Sequence, residues 1–116
     1  MSETYDRHRL QHMLNAAQKA IRFTKGKQRE DLDADEMLAL ALVRLLEIIG
    51  EAASKVSEET RNTEPSLPWA KMVGMRNRLI HGYDIVDLNV LWQTIGDDLN
   101  PLVESLAALL SKMDDS

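Results

Sequence analysis

The residues best equipped for chemistry stand together in the octapeptide Arg76-Asn77-Arg78-Leu79-Ile80-His81-Gly82-Tyr83. An arginine is a permanent cation with a planar fork of donors that matches phosphate oxygens, and a histidine exchanges a proton near neutral pH. Together they suffice for metal-free RNA cleavage. Arg76 would neutralise the non-bridging phosphate oxygens, and His81 would serve as general acid or base toward a ribose hydroxyl or the leaving oxygen. That chemistry needs the 2′-hydroxyl as nucleophile, so DNA would not be cut. Each residue also has a plainer reading. Arg76 could sit in a buried salt bridge, with Glu47 or Glu51 as partner, and His81 could be a cation settled at a helix C-terminus.

Other constellations are weaker. His8 and His12 form an i, i+4 pair, but no third ligand follows at a recognisable spacing, so an exposed helix surface is the expected reading. No Gly-rich phosphate loop, nucleophile elbow or Cys/His cluster occurs, so neither a metal nor a cofactor is expected.

The octapeptide must be positioned by a helix. The spacing predicts one from Pro68 to Gly82, with proline at its first position and glycine just past its end. On that wheel Trp69, Met72, Val73, Met75, Leu79 and Ile80 fill one arc, Lys71 and Arg78 point away, and Arg76 falls inside the apolar arc. A guanidinium there must meet a carboxylate, a phosphate or the water of a cleft. His81 would lie about 140° around the helix from Arg76. The two converge only if His81 stands at a fraying helix end, or if a second copy of the chain supplies a facing pair.

The rest of the chain reads as helices. Leu10, Met13, Leu14, Ala17 and Ile21 predict a first helix from about Ser2 to Thr24, ending near Gly26. Asp33, three residues before Glu36, predicts the start of a second helix, whose apolar residues from Met37 to Val56 nearly encircle it and mark it as the central element. Residues 57 to 68 predict a loop with a short helical turn at Glu58 to Arg61. Asp87 is the expected N-cap of a last helix striped by Leu88, Leu91, Trp92, Ile95, Leu99, Leu102, Leu106, Leu109 and Met113, with a kink or break at Pro101. The 116 residues thus form a single domain, 1–116: an all-α, up-and-down bundle of four long helices with one or two short turns and no strand.

Composition sets limits. No apolar run is long enough to span a membrane, the N-terminus lacks an apolar leader, and there are no cysteines, which together predict a soluble cytoplasmic protein. A net charge of −5 argues against bulk attraction to nucleic acid. The distribution is uneven: residues 1 to 29 hold seven Lys or Arg (Arg7, Arg9, Lys19, Arg22, Lys25, Lys27, Arg29) against Glu3 and Asp6. That stretch is either a solvated helix face or a strip that guides RNA or meets an acidic partner.

The octapeptide resembles the Arg-x4-His-x-Tyr signature of the HepT-like HEPN family, including the polar Asn77 after the arginine. Ile49-Gly50-Glu51-Ala52, Trp69 and Trp92 also stand where such sequences tend to place these residues, so the similarity covers most of residues 5 to 110. The resemblance implies a HEPN-type helical domain that forms a homodimer with two motifs lining one cleft. It implies a metal-independent endoribonuclease toxin of a type VII HepT/MntA-like toxin–antitoxin system, with Arg76 and His81 catalytic and Asn77 supporting. Its partner would be an MntA-like minimal nucleotidyltransferase antitoxin that transfers AMP onto Tyr83, blocking the cleft with bulk and negative charge. Tyr83 could instead be a loop aromatic packed on the last helix. An alternative for the whole chain is a non-catalytic HEPN nucleotide-binding or interaction module that partners the nucleotidyltransferase. A third is a helical dimerisation domain with Arg76 in a structural ion pair.

Overall fold

Helix α1, Ser2–Thr24, buries Leu10, Met13, Leu14 and Ala17 at the predicted spacing. It stops at Gly26, whose φ of 78° is a left-handed value that glycine adopts without strain. The computed structural model describes residues 2–81 and 85–114, with side chains from 5 to 80 and from 85 to 114. A short α2, Asp31–Ala34, precedes α3, Glu36–Lys55. The cap of α3 is Asp35, whose carboxylate accepts from the Leu38 amide at 3.0 Å, rather than the expected Asp33, which is spent inside α2. Leu42, Leu46, Ile49 and Ala53 of α3 are wholly buried, as befits a central element.

The Glu58 turn is realised as α4, Glu58–Thr63, capped by the Ser57 hydroxyl. Ser57 and Thr60 also donate to the fully buried carboxylate of Asp6 on α1, so α4 is tied to the first helix. The last helix, α7, Leu88–Asp114, is capped by Asp87, which accepts from the Asn89 and Val90 amides, both at 3.1 Å. It passes through Pro101 without the expected break. Pro101 and Asp97, the residue whose carbonyl loses its helical donor, both face solvent, so water can satisfy what the ring removes.

Helix α1 runs antiparallel to both long neighbours. Arg9 reaches the Lys55 carbonyl at the end of α3, and Arg7 meets Asp114 at the end of α7. The result is the all-α bundle expected. The segment foreseen as one long helix from Pro68 to Gly82 differs: it is two short helices, α5, Trp69–Val73, and α6, Met75–Leu79, parted at Gly74. At Ile80 the chain turns extended (φ −107°, ψ 119°), and the strand β1, Ile80–His81, pairs antiparallel with β2, Ile85–Val86. Two local causes are visible. Gly74 (φ −82°, ψ 2°) is a poor helix former, and the Leu79 carbonyl is taken at 2.7 Å by the Asp87 amide, which closes the hairpin instead of prolonging the helix. Among the described residues, no helix is long and apolar enough to cross a membrane.

Candidate functional site

The helix pair α5–α6 is seated on α3 at Gly50. A Cβ there would lie 3.0 Å from the Met72 carbonyl oxygen and 3.6 Å from that of Val73, so the absence of a side chain sets how closely α5 approaches. Trp69 anchors the start of the pair: its indole donates to the Glu64 carbonyl at 3.0 Å, and its ring lies 5.8 Å from the Arg61 guanidinium. Arg61 also donates to the Ala53 and Val56 carbonyls at 2.7 and 3.1 Å, closing the C-terminus of α3. One residue thus braces both helices. No pattern in the sequence pointed to Arg61; Gly50 was visible only as part of the resemblance, not as a contact.

Met72, Met75 and Leu79 are buried beneath the pair, which leaves Arg76, Asn77 and Arg78 on its outer side. Arg76 is exposed rather than enclosed in the apolar arc, and it meets a carboxylate, one of the partners foreseen for it. Its side chain is 55% exposed, and its Nε donates at 3.1 Å to Glu47, whose side chain is 24% exposed. Glu47 was one of the two carboxylates foreseen; Glu51 is exposed and makes no ion pair among the described residues. Breaking the helix at Gly74 re-aims α6, so Met75 and Leu79 take the core and Arg76 moves to its edge. Asn77 is exposed and makes no hydrogen bond among the described side chains. Lys71 bonds Asp98 at 3.1 Å, tying α5 to α7.

His81 lies on β1, beyond the end of α6, with its Cα paired to that of Ile85. The angle between Arg76 and His81 derived from a continuous helix therefore does not apply. The His81 side chain lies outside the described residues, as do Gly82 and Tyr83. The root of the hairpin is fixed: Ile80 and Val86 pack against the core, and the Asp87–Leu79 backbone bond closes it. Beside β2, Leu40, Val43, Val86 and Leu88 line a shallow cleft, near which Met37, Leu40 and Ile85 are 81%, 58% and 62% exposed. His8 and His12 both lie exposed on α1, and no cluster of three or more metal-ligating side chains occurs among the described residues.

The arrangement offers an accessible guanidinium, held by the Glu47 carboxylate, on the helix that feeds directly into the strand carrying the histidine. It can receive an oxyanion at Arg76, with a histidine five positions on in the sequence.

A family model described as "Ribonuclease HepT-like" matches residues 13–109. The chain is 37% identical over 103 residues to "Putative RNase TTE0752" of Caldanaerobacter subterraneus subsp. tengcongensis, covering 89% of this chain and 92% of that one. It is 38% identical over 90 residues to "Putative RNase MJ1380" of Methanocaldococcus jannaschii, covering 78% and 83%. It is 37% identical over 93 residues to "Probable ribonuclease HepT" of Thermococcus cleftensis, covering 80% and 84%. No solved structure matches at a significant level.

Proposed function

The chain belongs to the HepT-like ribonuclease family, and from that premise we propose that it is a metal-independent endoribonuclease acting as the toxin of a type VII toxin–antitoxin pair. The observation that carries the reading is the state of Arg76: more than half exposed, with a single carboxylate partner among the described residues, at the foot of the strand that bears His81. A structural guanidinium would be enclosed and bonded on several sides; this one is free to take a phosphate.

In the proposed reaction Arg76 binds the non-bridging oxygens of the scissile phosphate, displacing Glu47. The ribose 2′-hydroxyl loses its proton to a base and attacks phosphorus in line. The P–O5′ bond breaks, and an imidazolium gives its proton to the departing oxygen, leaving a 2′,3′-cyclic phosphate and a 5′-hydroxyl. One histidine cannot be base and acid at once. A homodimer provides two, and the apolar residues Met37, Leu40 and Ile85, exposed beside the hairpin, are the surface a second copy would cover. Asn77 orients the phosphate. Tyr83 is the residue to which the nucleotidyltransferase antitoxin adds AMP, placing a competing phosphate beside Arg76.

Purified chain incubated with total RNA in EDTA is expected to cut it, and His81→Ala to abolish cutting. Equal behaviour of the two proteins overturns the reading. Coexpression with such a nucleotidyltransferase is expected to add AMP masses that Tyr83→Phe lacks.

A further inference from the structure

Between Arg7 and Arg29 the chain contains no Asp or Glu, so every cation in that stretch must find its acid elsewhere or face solvent. Three find partners: Arg7 pairs with Asp114, Arg9 with Asp6, and Arg29 with Asp33. Lys19 and Arg22 remain exposed on α1 with no acid partner among the described residues. Lys19 lines a shallow cleft with His12 and Asn15 of α1 and with Leu45 and Ile48 of α3. Arg44, next to Leu45 in sequence, is exposed and likewise unpaired among the described residues. One helical turn on from Arg44 stands Glu47, which holds Arg76.

Lys19, Arg44 and Arg76 therefore come from three successive helical layers but reach the surface at one level of α3, between residues 44 and 48. Adjacent packed helices lie about 8–10 Å apart, so the row spans on the order of 20 Å, or about six nucleotides at the roughly 3.4 Å per residue of a stacked strand. We propose that Lys19 and Arg44 extend the anion site of Arg76 into a track that carries single-stranded RNA across α3 onto α1. The proposal rests on the ribonuclease reading and adds to it where the substrate lies.

The chemistry of the row favours nucleic acid over an acidic protein. A protein interface needs an apolar centre and is depleted in lysine. Here Leu45 is buried and Ile48 half-buried, and what the face presents outward is isolated cations with the amide of Asn15 and the imidazole of His12, groups that contact phosphate and sugar. On it Arg22 lies 5.6 Å from the centre of the Phe23 ring, which is 39% exposed and offers a face on which a base can stack. A chain of net charge −5 repels RNA over most of its surface, so a local cationic row is what lets it hold a strand.

Binding is separated from cleavage by using a fluorescent 12-nucleotide 2′-O-methyl RNA, which has no nucleophile. Lys19→Gln/Arg44→Gln, both surface changes, is expected to weaken binding at least about tenfold and to lower the slope of log K against log salt by about 1.4, roughly 0.7 per lost phosphate contact. Lys112→Gln, at the far end of α7, is expected to bind as wild type. Unchanged affinity and slope in the double variant, or no binding by wild type, overturns the track. If the double variant instead loses only binding to a poly-glutamate peptide, the face takes an acidic protein and the track falls. A wild type that binds through Lys19 and Arg44 but cuts nothing keeps the track and removes the nuclease reading. Cutting by wild type, with RNA binding unaltered in the double variant, does the reverse.

Discussion

The Nε of Arg76 stands 3.1 Å from a carboxylate oxygen of Glu47, and the guanidinium is 55% exposed. A pair in that setting contributes at most about 1 kcal/mol, because water screens the charges and two long side chains must be held still. Such a pair can be opened by a polyanionic strand without unsettling the fold. Arg76→Ala is therefore expected to change stability by less than about 1 kcal/mol while lowering RNA cleavage by about 10²- to 10³-fold, the usual loss when a donor to a developing oxyanion is removed. Glu47→Gln is expected to leave the melting temperature in place and to tighten RNA binding. Thermal melts and gel assays on the same preparations check both, and a melting point several degrees lower in Arg76→Ala would make the pair structural.

The seat of α5 on Gly50 sets up an opposition between two glycines. Alanine gains about 1 kcal/mol of helix propensity over glycine, but at Gly50 its methyl group would stand 3.0 Å from the Met72 carbonyl oxygen. Overpacking of that kind costs about 1–3 kcal/mol, so Gly50→Ala is expected to be destabilised and to cleave RNA more slowly as α5 and α6 shift. Gly96 on α7 has no neighbour within 4 Å of its hypothetical Cβ. Gly96→Ala is expected to gain up to about 1 kcal/mol. Chemical denaturation of both variants separates them, and equal stabilities would mean that Gly50 tolerates a side chain.

The long helices were legible because their apolar residues recur at helical spacing over many turns and their ends carry ordinary signals, such as Gly26 and Asp87. Of the short elements the Glu58 turn was legible, but α2, the division of α5 from α6 and the two short strands were not. Where α6 ends depends on what competes for nearby carbonyls, and the competitor for that of Leu79 is the amide of Asp87, which no local pattern reveals. The break at Gly74 moved Arg76 to the edge of the apolar arc, and of the two carboxylates foreseen from the element opposite, Glu47 and Glu51, it is Glu47 that meets it. That His81 belongs to a strand was hidden for a similar reason: two residues of ladder are too few to leave a period.

Asp6 predicts an acid limit to stability. Burial opposes its ionisation, but the hydroxyls of Ser57 and Thr60, the Ser57 amide and the Arg9 guanidinium outweigh that effect and hold the carboxyl below the ordinary carboxylate range. A carboxyl lowered on folding stabilises the protein above its unfolded pKa, and the contribution fades as pH falls through the folded one. Stability of wild type is thus expected to drop below about pH 4, the unperturbed aspartate value, and Asp6→Asn to lose part of that dependence. At pH 7 Asp6→Ala is expected to cost about 1–3 kcal/mol by leaving buried donors unmatched. Urea titrations from pH 3 to 7 read both, and parallel pH profiles for wild type and Asp6→Asn would contradict the assignment.

Arg61 is expected to matter more than its position suggests. Arg61→Ala removes two donors to the end of α3 and the cation over Trp69, losses that together amount to about 1–2 kcal/mol. Arg61→Lys is not expected to restore them, since an ammonium lacks the planar fork that spans two carbonyls. Thermal melts followed by tryptophan fluorescence would report both effects, and full rescue by lysine would leave charge alone as the cause.

The ion pair between Arg7 and Asp114 joins residues 107 positions apart. The first helix therefore completes its surroundings only when the last one arrives, and the contacts that close the bundle are among the most distant along the chain. The loop-closure penalty for such a join grows slowly, by about 0.6 kcal/mol for each doubling of length, so what the arrangement governs is order in time. During synthesis α1 and α3 can meet early. Helices α5 and α6 take their final place later, because α5 is tied to Asp98 and Leu79 to Asp87, both of which are made after them. The helix that carries Arg76 is thus among the last parts of the molecule to form on a nascent chain.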